Sequence, residues 1–138
     1  MNSRLELIPK IIELPKIKDP RGNLTFLQYP NQIPFRINRI FWTHDVPGSE
    51  TRGGHAFKAQ EEIIIALSGS FDVVVKDKFG DVVKYHLNRS YVGLYLPPCT
   101  WRHTENFSTN SLGLHLSSSF YSEEDYIRDF NEFVNLLE

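Results

Sequence analysis

The residues of this chain best able to do chemistry stand close together, in the run Thr51-Arg52-Gly53-Gly54-His55-Ala56-Phe57-Lys58-Ala59-Gln60-Glu61-Glu62. An imidazole titrates near neutral pH, so His55 can take a proton from a carbon acid and return it without a large energetic mismatch. The planar fork of arginine matches phosphate oxygens better than the point charge of lysine, which makes Arg52, three residues before His55, the candidate for holding a phosphorylated ligand. On a strand, alternation sends one of Glu61 and Glu62 inward and the other outward, and a carboxylate buried there needs a partner. Further along, Tyr95, His103 and His115 are the other groups able to move protons, and Tyr95 and Trp101 are suited to lining a pocket or its rim. Each also has a plainer role. His55 alone reads as a barrel histidine satisfied by a backbone carbonyl, and Arg52 as a surface cation paired with Glu50 or Glu61.

These side chains must be held by strands. Short β-branched and aromatic segments recur between turn residues over Asn23–Tyr29, Ile37–Asp45, Glu62–Leu67, Ser70–Lys76, Val82–Leu87, Ser90–Leu96 and Leu112–Ser118, the pattern of a sandwich or barrel. Gly48, Gly69 and Gly80 can take positive φ at turns, and Lys78-Phe79-Gly80-Asp81 reads as a hairpin loop. Only the end of the chain changes period. After Ser122, an N-cap candidate with Asp125 three residues on, Tyr126, Ile127, Phe130, Phe133, Val134 and Leu137 recur at helical spacing, which predicts one amphipathic helix over 122–137.

Composition narrows the function classes. With 138 residues, 41% of them hydrophobic, the chain can close one core, and we expect one domain over 1–138. A net charge of -2 with interspersed signs gives no track for a phosphate backbone, so nucleic acid is not an expected partner. Cys99 is the sole cysteine, which rules out an intrachain disulfide and a thiolate-built metal site and fits a reducing, cytoplasmic setting. Met1 to Lys10 lacks the apolar core of a signal peptide, and Ile63 to Leu67 is far too short to span a membrane.

Two stretches resemble the paired motifs of cupins. His55, Glu62 and Gly69 fit the first motif, with Phe57 where a second histidine is expected. Pro97-Pro98-Cys99-Thr100-Trp101-Arg102-His103 fits the second in two registers: with Cys99 at the glycine position Arg102 falls on the ligand position, and with Thr100 there His103 does. Because one residue of slip reverses a strand's faces, only one of the two side chains can point inward. The second register leaves His55, Glu62 and His103 as a two-histidine, one-carboxylate set able to hold a divalent metal.

Arg52-Gly53-Gly54-His55-Ala56 is similar in particular to the active-site segment of the dTDP-sugar 3,4-ketoisomerases, the WxcM-like family. The likeness extends to Asp19–Leu24, Ile33-Pro34-Phe35, Arg39, Val92-Gly93-Leu94-Tyr95, Trp101, Asn106-Phe107-Ser108 and Asp125-Tyr126-Ile127-Arg128. The resemblance implies an all-β cupin (RmlC-like) jelly-roll β-barrel with one C-terminal α-helix. It also implies an isomerase, free of metal and other cofactors, that converts a dTDP-4-oxo-6-deoxyhexose to its 3-oxo isomer through an enediol. The product would feed an aminotransferase that makes 3-amino sugars for surface polysaccharide. His55 would be catalytic, Arg52, Tyr95, Trp101 and Arg102 would bind substrate, and His103 and Glu62 are candidates for a second acid or base. The family's dimeric habit implies a homodimer in which residues 1–20, with Leu5, Leu7, Ile8, Ile11, Ile12 and Leu14, contact the partner. Phe57 departs from the family's second histidine, and so favours an alternative, a non-catalytic nucleotide-sugar-binding cupin.

Overall fold

The strands form where apolar and β-branched residues alternate, and they stack as two five-stranded sheets around one interior. The computed structural model describes residues 8–138. Its strands are β1 (Lys10–Glu13), β2 (Lys16–Ile17), β3 (Leu24–Thr25), β4 (Arg39–His44), β5 (Arg52–Phe57), β6 (Glu62–Ser68), β7 (Phe71–Lys76), β8 (Val82–Leu87), β9 (Val92–Leu96), β10 (Trp101–Glu105), β11 (Leu112–Ser117) and β12 (Tyr126–Ile127), followed by helix α1 (Phe130–Leu137). One sheet runs β1-β9-β6-β11-β4 and the other β12-β5-β10-β7-β8, with every pairing antiparallel, while β2 and β3 form a small separate ribbon. No helix among the described residues is long and apolar enough to cross a membrane.

Strand β6 shows how the layers are built. Its run Ile63-Ile64-Ile65-Ala66 is buried on both faces, which is why it reads as continuously apolar rather than alternating. Ile64 and Ala66 point into the barrel with Phe71, Val73, Leu94 and Phe107, whereas Ile63 and Ile65 pack outward against Leu14, Ile33, Phe35 and Tyr95 from the amino-terminal half. Of the apolar amino-terminal residues named above, Leu5 and Leu7 lie outside the described residues. Ile8 and Ile11 are exposed, and β1 pairs with the chain's own β9. The hairpin at 77–81 forms as expected, with the Asp77 carboxylate accepting from Phe79 N and Asp81 N and Gly80 at φ 90°. Gly48, by contrast, does not take positive φ.

The carboxy terminus departs from the expected helix over 122–137. Glu123–Asp125 is a 3₁₀ turn that Ser122 does not cap with its side chain, and Tyr126 and Ile127 are strand β12, paired with Phe57 and Ala56. The reason is Asp125. Its carboxylate accepts the backbone N–H of Ala59 and Gln60 at 2.8 and 3.2 Å, and its carbonyl accepts that of Lys58, which fastens the segment to β5 as an edge strand. The helix starts eight residues after Ser122, capped by Asp129, whose side chain accepts from Asn131 N. Its face of Phe130, Phe133 and Val134 closes over Trp101, Ile127 and Ala56. The helix therefore backs β5 and β10 from outside.

Candidate active site

The second-motif ambiguity resolves at Cys99. Its φ of 60° lies in the left-handed region favoured by glycine, and the Thr100 hydroxyl donates to Pro97 O at 2.8 Å to close the turn. Cys99 thus stands at the motif's glycine position, and alternation along β10 sends Arg102 and Thr104 inward and Trp101, His103 and Glu105 outward. Trp101 is buried beneath α1, against Phe130 and Phe133, and does not meet the pocket. His103 lies on the outer face with Nε2 2.8 Å from a Glu105 carboxylate oxygen, so His55, Glu62 and His103 are not brought together. Tyr95 points outward from β9 into the apolar layer beside Phe35, where its hydroxyl donates to Glu61 at 2.7 Å. Burial and that carboxylate push the Tyr95 phenol well above its ordinary pKa. Tyr95, Trp101 and His103 thus lie away from the pocket in which Arg52, His55, Glu62 and Arg102 meet.

Strand β5 needs a device to bring Arg52 and His55 to one face, because residues three apart on a regular strand point to opposite sides. Against β10, Arg102 faces His55, His103 faces Gly53 and Thr104 faces Arg52, which leaves Gly54 as the extra residue of a β-bulge. Gly53 and Gly54 both hold positive φ, 94° and 79°, and a Cβ on Gly53 would come within 3.1 Å of the His103 backbone. The Gly-Gly pair is therefore what turns Arg52 and His55 into the same space.

That space is a pocket of about 430 Å³, counting its open mouth, lined chiefly by Arg52, His55, Glu62, Arg102, His115 and Phe41. Glu62 is its electrostatic centre. One carboxylate oxygen accepts from Arg102 Nη1 at 2.8 Å, and the other lies 2.8 Å from His115 Nδ1. Burial alone would push the Glu62 pKa up, but His115 and Arg102 outweigh it and hold the group down at about 2. Burial lowers the Arg102 pKa, with Glu62 opposing, and its buried Nη2 has no hydrogen-bond partner among the described residues. His55 makes ring contacts with Phe57 and Tyr126 at 4.8 and 5.1 Å, and neither of its nitrogens hydrogen-bonds to another described residue. Burial, and then the positive charge of Arg102, lowers its pKa from 6.5 to about 4, so at neutral pH His55 is a free base. Arg52, at the mouth, is exposed and has no ion-pair partner among the described residues, neither Glu50 nor Glu61.

His115 did not stand out by motif, because it sits in an ordinary alternating strand, Leu112–Ser117. The available signal was parity. Register pairs His115 with Ile64 and Phe41, two residues from the Glu62 and Arg39 positions on the interior-facing rows.

The chain has relatives over nearly its whole length. Residues 8–138 match the family described as FdtA, WxcM-like, C-terminal. The chain belongs to that family. It is 37% identical over 129 residues to the TDP-4-oxo-6-deoxy-alpha-D-glucose-3,4-oxoisomerase of Aneurinibacillus thermoaerophilus, covering 93% of this chain and 91% of that protein. Among solved structures, a 3,4-ketoisomerase from Helicobacter canadensis superposes with a TM-score of 0.89 at 36% identity, covering 94% of this chain and 96% of the other. A variant 3,4-ketoisomerase from Thermoanaerobacterium thermosaccharolyticum, solved with TDP-4-keto-6-deoxyglucose, superposes at 0.90 with 31% identity over 93% and 92% of the two chains. The family's members are thus cupin-like β-barrels, as this chain is.

Proposed function

We propose that this chain is a sugar-nucleotide 3,4-ketoisomerase that converts a dTDP-4-oxo-6-deoxyhexose to the 3-oxo isomer, with His55 as the base that moves the carbon-bound proton. The supporting observation is His55 itself: a neutral imidazole whose nitrogens have no partner among the described residues, in a pocket whose arginines, Arg52 and Arg102, suit a phosphorylated, oxygen-rich ligand. Carbonyl migration from C4 to C3 removes the proton on C3, passes through an enediol and returns a proton to C4. One imidazole can serve both carbons when they present their protons to the same side. Charge develops on the sugar oxygens in the enediolate, and the positive charge of Arg102 in the pocket wall stabilises it. Arg52, without an ion-pair partner among the described residues, takes the diphosphate.

The same reading includes a cytoplasmic homodimer serving an aminotransferase in surface-polysaccharide synthesis. The second copy of the chain is assigned to the outer face of the β4–β11–β6 sheet, where Ile40, Trp42 and Leu67 are exposed beside an apolar groove of about 890 Å³, counting its open mouth. Light scattering on the purified protein should give twice the chain mass, and Trp42→Glu should give the monomer.

Phe57, buried where the resemblance leads one to expect a histidine, favours one alternative, a nucleotide-sugar-binding protein without turnover. Incubation with dTDP-4-oxo-6-deoxyglucose, followed by NMR of the sugar, separates the two. The 3-oxo product should accumulate, whereas binding of TDP with an unchanged sugar would support the alternative.

A further inference from the structure

His115 is better built for proton relay than its ordinary strand suggests. Its Nδ1 lies 2.8 Å from Glu62, and an ionised carboxylate only accepts, so Nδ1 carries the hydrogen, and whenever the ring gives up its other proton it is Nε2 that holds the lone pair. The Phe41 ring stacks on the imidazole at 4.5 Å and 10°, and Arg102 fixes the other oxygen of Glu62, so neither the ring nor its carboxylate is free to turn. Nε2 has no partner among the described residues, yet it does not fall among the solvent-inaccessible unpaired atoms, and the residue lines the pocket that holds His55. A carboxylate that orients an imidazole through one nitrogen and leaves the other bare toward a pocket is an arrangement suited to acid-base work. His55 has no such orienting group.

Building on the ketoisomerase reading above, we propose that His115, oriented by Glu62, relays the hydroxyl proton between O3 and O4 of the bound sugar, the task that Phe57 cannot perform. His55 takes the proton from C3, the electron pair forms the C3–C4 double bond, and the C4 carbonyl becomes an enolate on O4. His115 Nε2 accepts the O3 proton and delivers it to O4, which moves the negative charge to O3. The O3 enolate collapses to the C3 carbonyl as C4 takes the proton from His55. Both imidazoles end as they began, and no outside oxidant, reductant or proton is consumed. His115 is thus a catalytic residue and Glu62 a positioning one.

The test measures two rates in deuterated buffer with dTDP-4-oxo-6-deoxyglucose: incorporation of deuterium at C3, which needs only His55, and formation of the 3-oxo isomer, which also needs the relay. His115→Asn should slow isomer formation on the order of 10²-fold while exchange at C3 stays within about threefold of wild type, and Glu62→Gln should show the same split. Adding Phe57→His to His115→Asn should restore about tenfold of the lost rate, because a second imidazole then stands beside His55. Unimpaired isomer formation in His115→Asn, or a parallel fall of both rates, would overturn the relay. A further variant does not depend on the fold tolerating a change at 115. Phe57→His in the otherwise native chain should alter turnover by less than about twofold, and a gain well above that would show that no relay was present. A wild-type protein that neither exchanges C3 nor forms isomer refutes the ketoisomerase reading itself rather than the relay.

Discussion

The barrel interior has two halves, filled by opposite means. Around Phe71, side chains from both sheets, among them Ile64, Val73, Leu87, Leu94, Leu96 and Phe107, pack an apolar core with no charged member. Around Glu62, the same inward-facing rows carry a carboxylate, a guanidinium and two imidazoles. The apolar half gains its stability from area removed from water and has nothing left to bind with. In the polar half the Glu62 carboxylate is held by Arg102 and His115, and the imidazole nitrogens without a partner among the described residues, both of His55 and Nε2 of His115, are what a substrate would meet. A polar group without a protein partner costs stability unless water or a ligand reaches it, so its retention on the wall of an open pocket is the mark of a site rather than of a core.

The sharpest break of this contrast is a pair of deletions of similar energetic size. Arg102→Met leaves the Glu62 carboxylate short of a buried partner and should destabilise the fold by about 3–5 kcal/mol in urea unfolding, and a compensating Glu62→Leu should recover much of that. Phe71→Ala should also cost about 3–5 kcal/mol, through a cavity, but its TDP affinity, measured by calorimetry on the folded protein, should match wild type. The next effect lies at the mouth. Arg52→Gln should weaken TDP binding by about 10- to 100-fold with little change in melting temperature, the worth of a charge-assisted bond. Deleting Gly54 should mimic it, because removing the bulge returns Arg52 to the outer face.

A further effect is on pH dependence. His55 is held at about 4 in the folded chain against an ordinary 6.5, so between those values the unfolded chain binds a proton that the folded one does not. Its contribution is fully present above 6.5 and is lost progressively as the pH falls toward 4. His55→Asn should therefore flatten the stability curve in that window, while the loss below 4.5 that comes from Glu62, held at about 2, should persist.

How much of this was legible in the sequence follows the same division. Six of the strands that the alternation marked out are present with near-coincident bounds, because they are apolar on at least one face; in the seventh segment, Asn23–Tyr29, only Leu24–Thr25 forms a strand. The two strands that carry the site, β5 and β10, were legible only through the motifs on them. Arg52-Gly53-Gly54-His55 and Trp101-Arg102-His103 are too polar or glycine-rich to alternate visibly, and the bulge at Gly54 breaks the period. The choice between Arg102 and His103 hung on a backbone conformation, the positive φ of Cys99, for which a cysteine gives no sign. Helical spacing over 122–137 overran because Asp125 is bound by the backbone of Ala59 and Gln60, a contact 65 and 66 residues away in sequence. Tyr95 and Trp101 read as pocket aromatics because the packing of the amino-terminal segment and of α1 over the outer faces leaves no periodic trace at those positions.

The central claim, that His55 moves the carbon-bound proton of a 4-oxo sugar, is tested most directly by proton NMR of dTDP-4-oxo-6-deoxyglucose in deuterated buffer, wild type beside His55→Asn. In wild type the C3 proton signal should disappear as the 3-oxo isomer forms. In the variant both processes should slow by about 10²- to 10⁴-fold with TDP binding retained. An His55→Asn protein that still exchanges C3 at the wild-type rate would contradict the account.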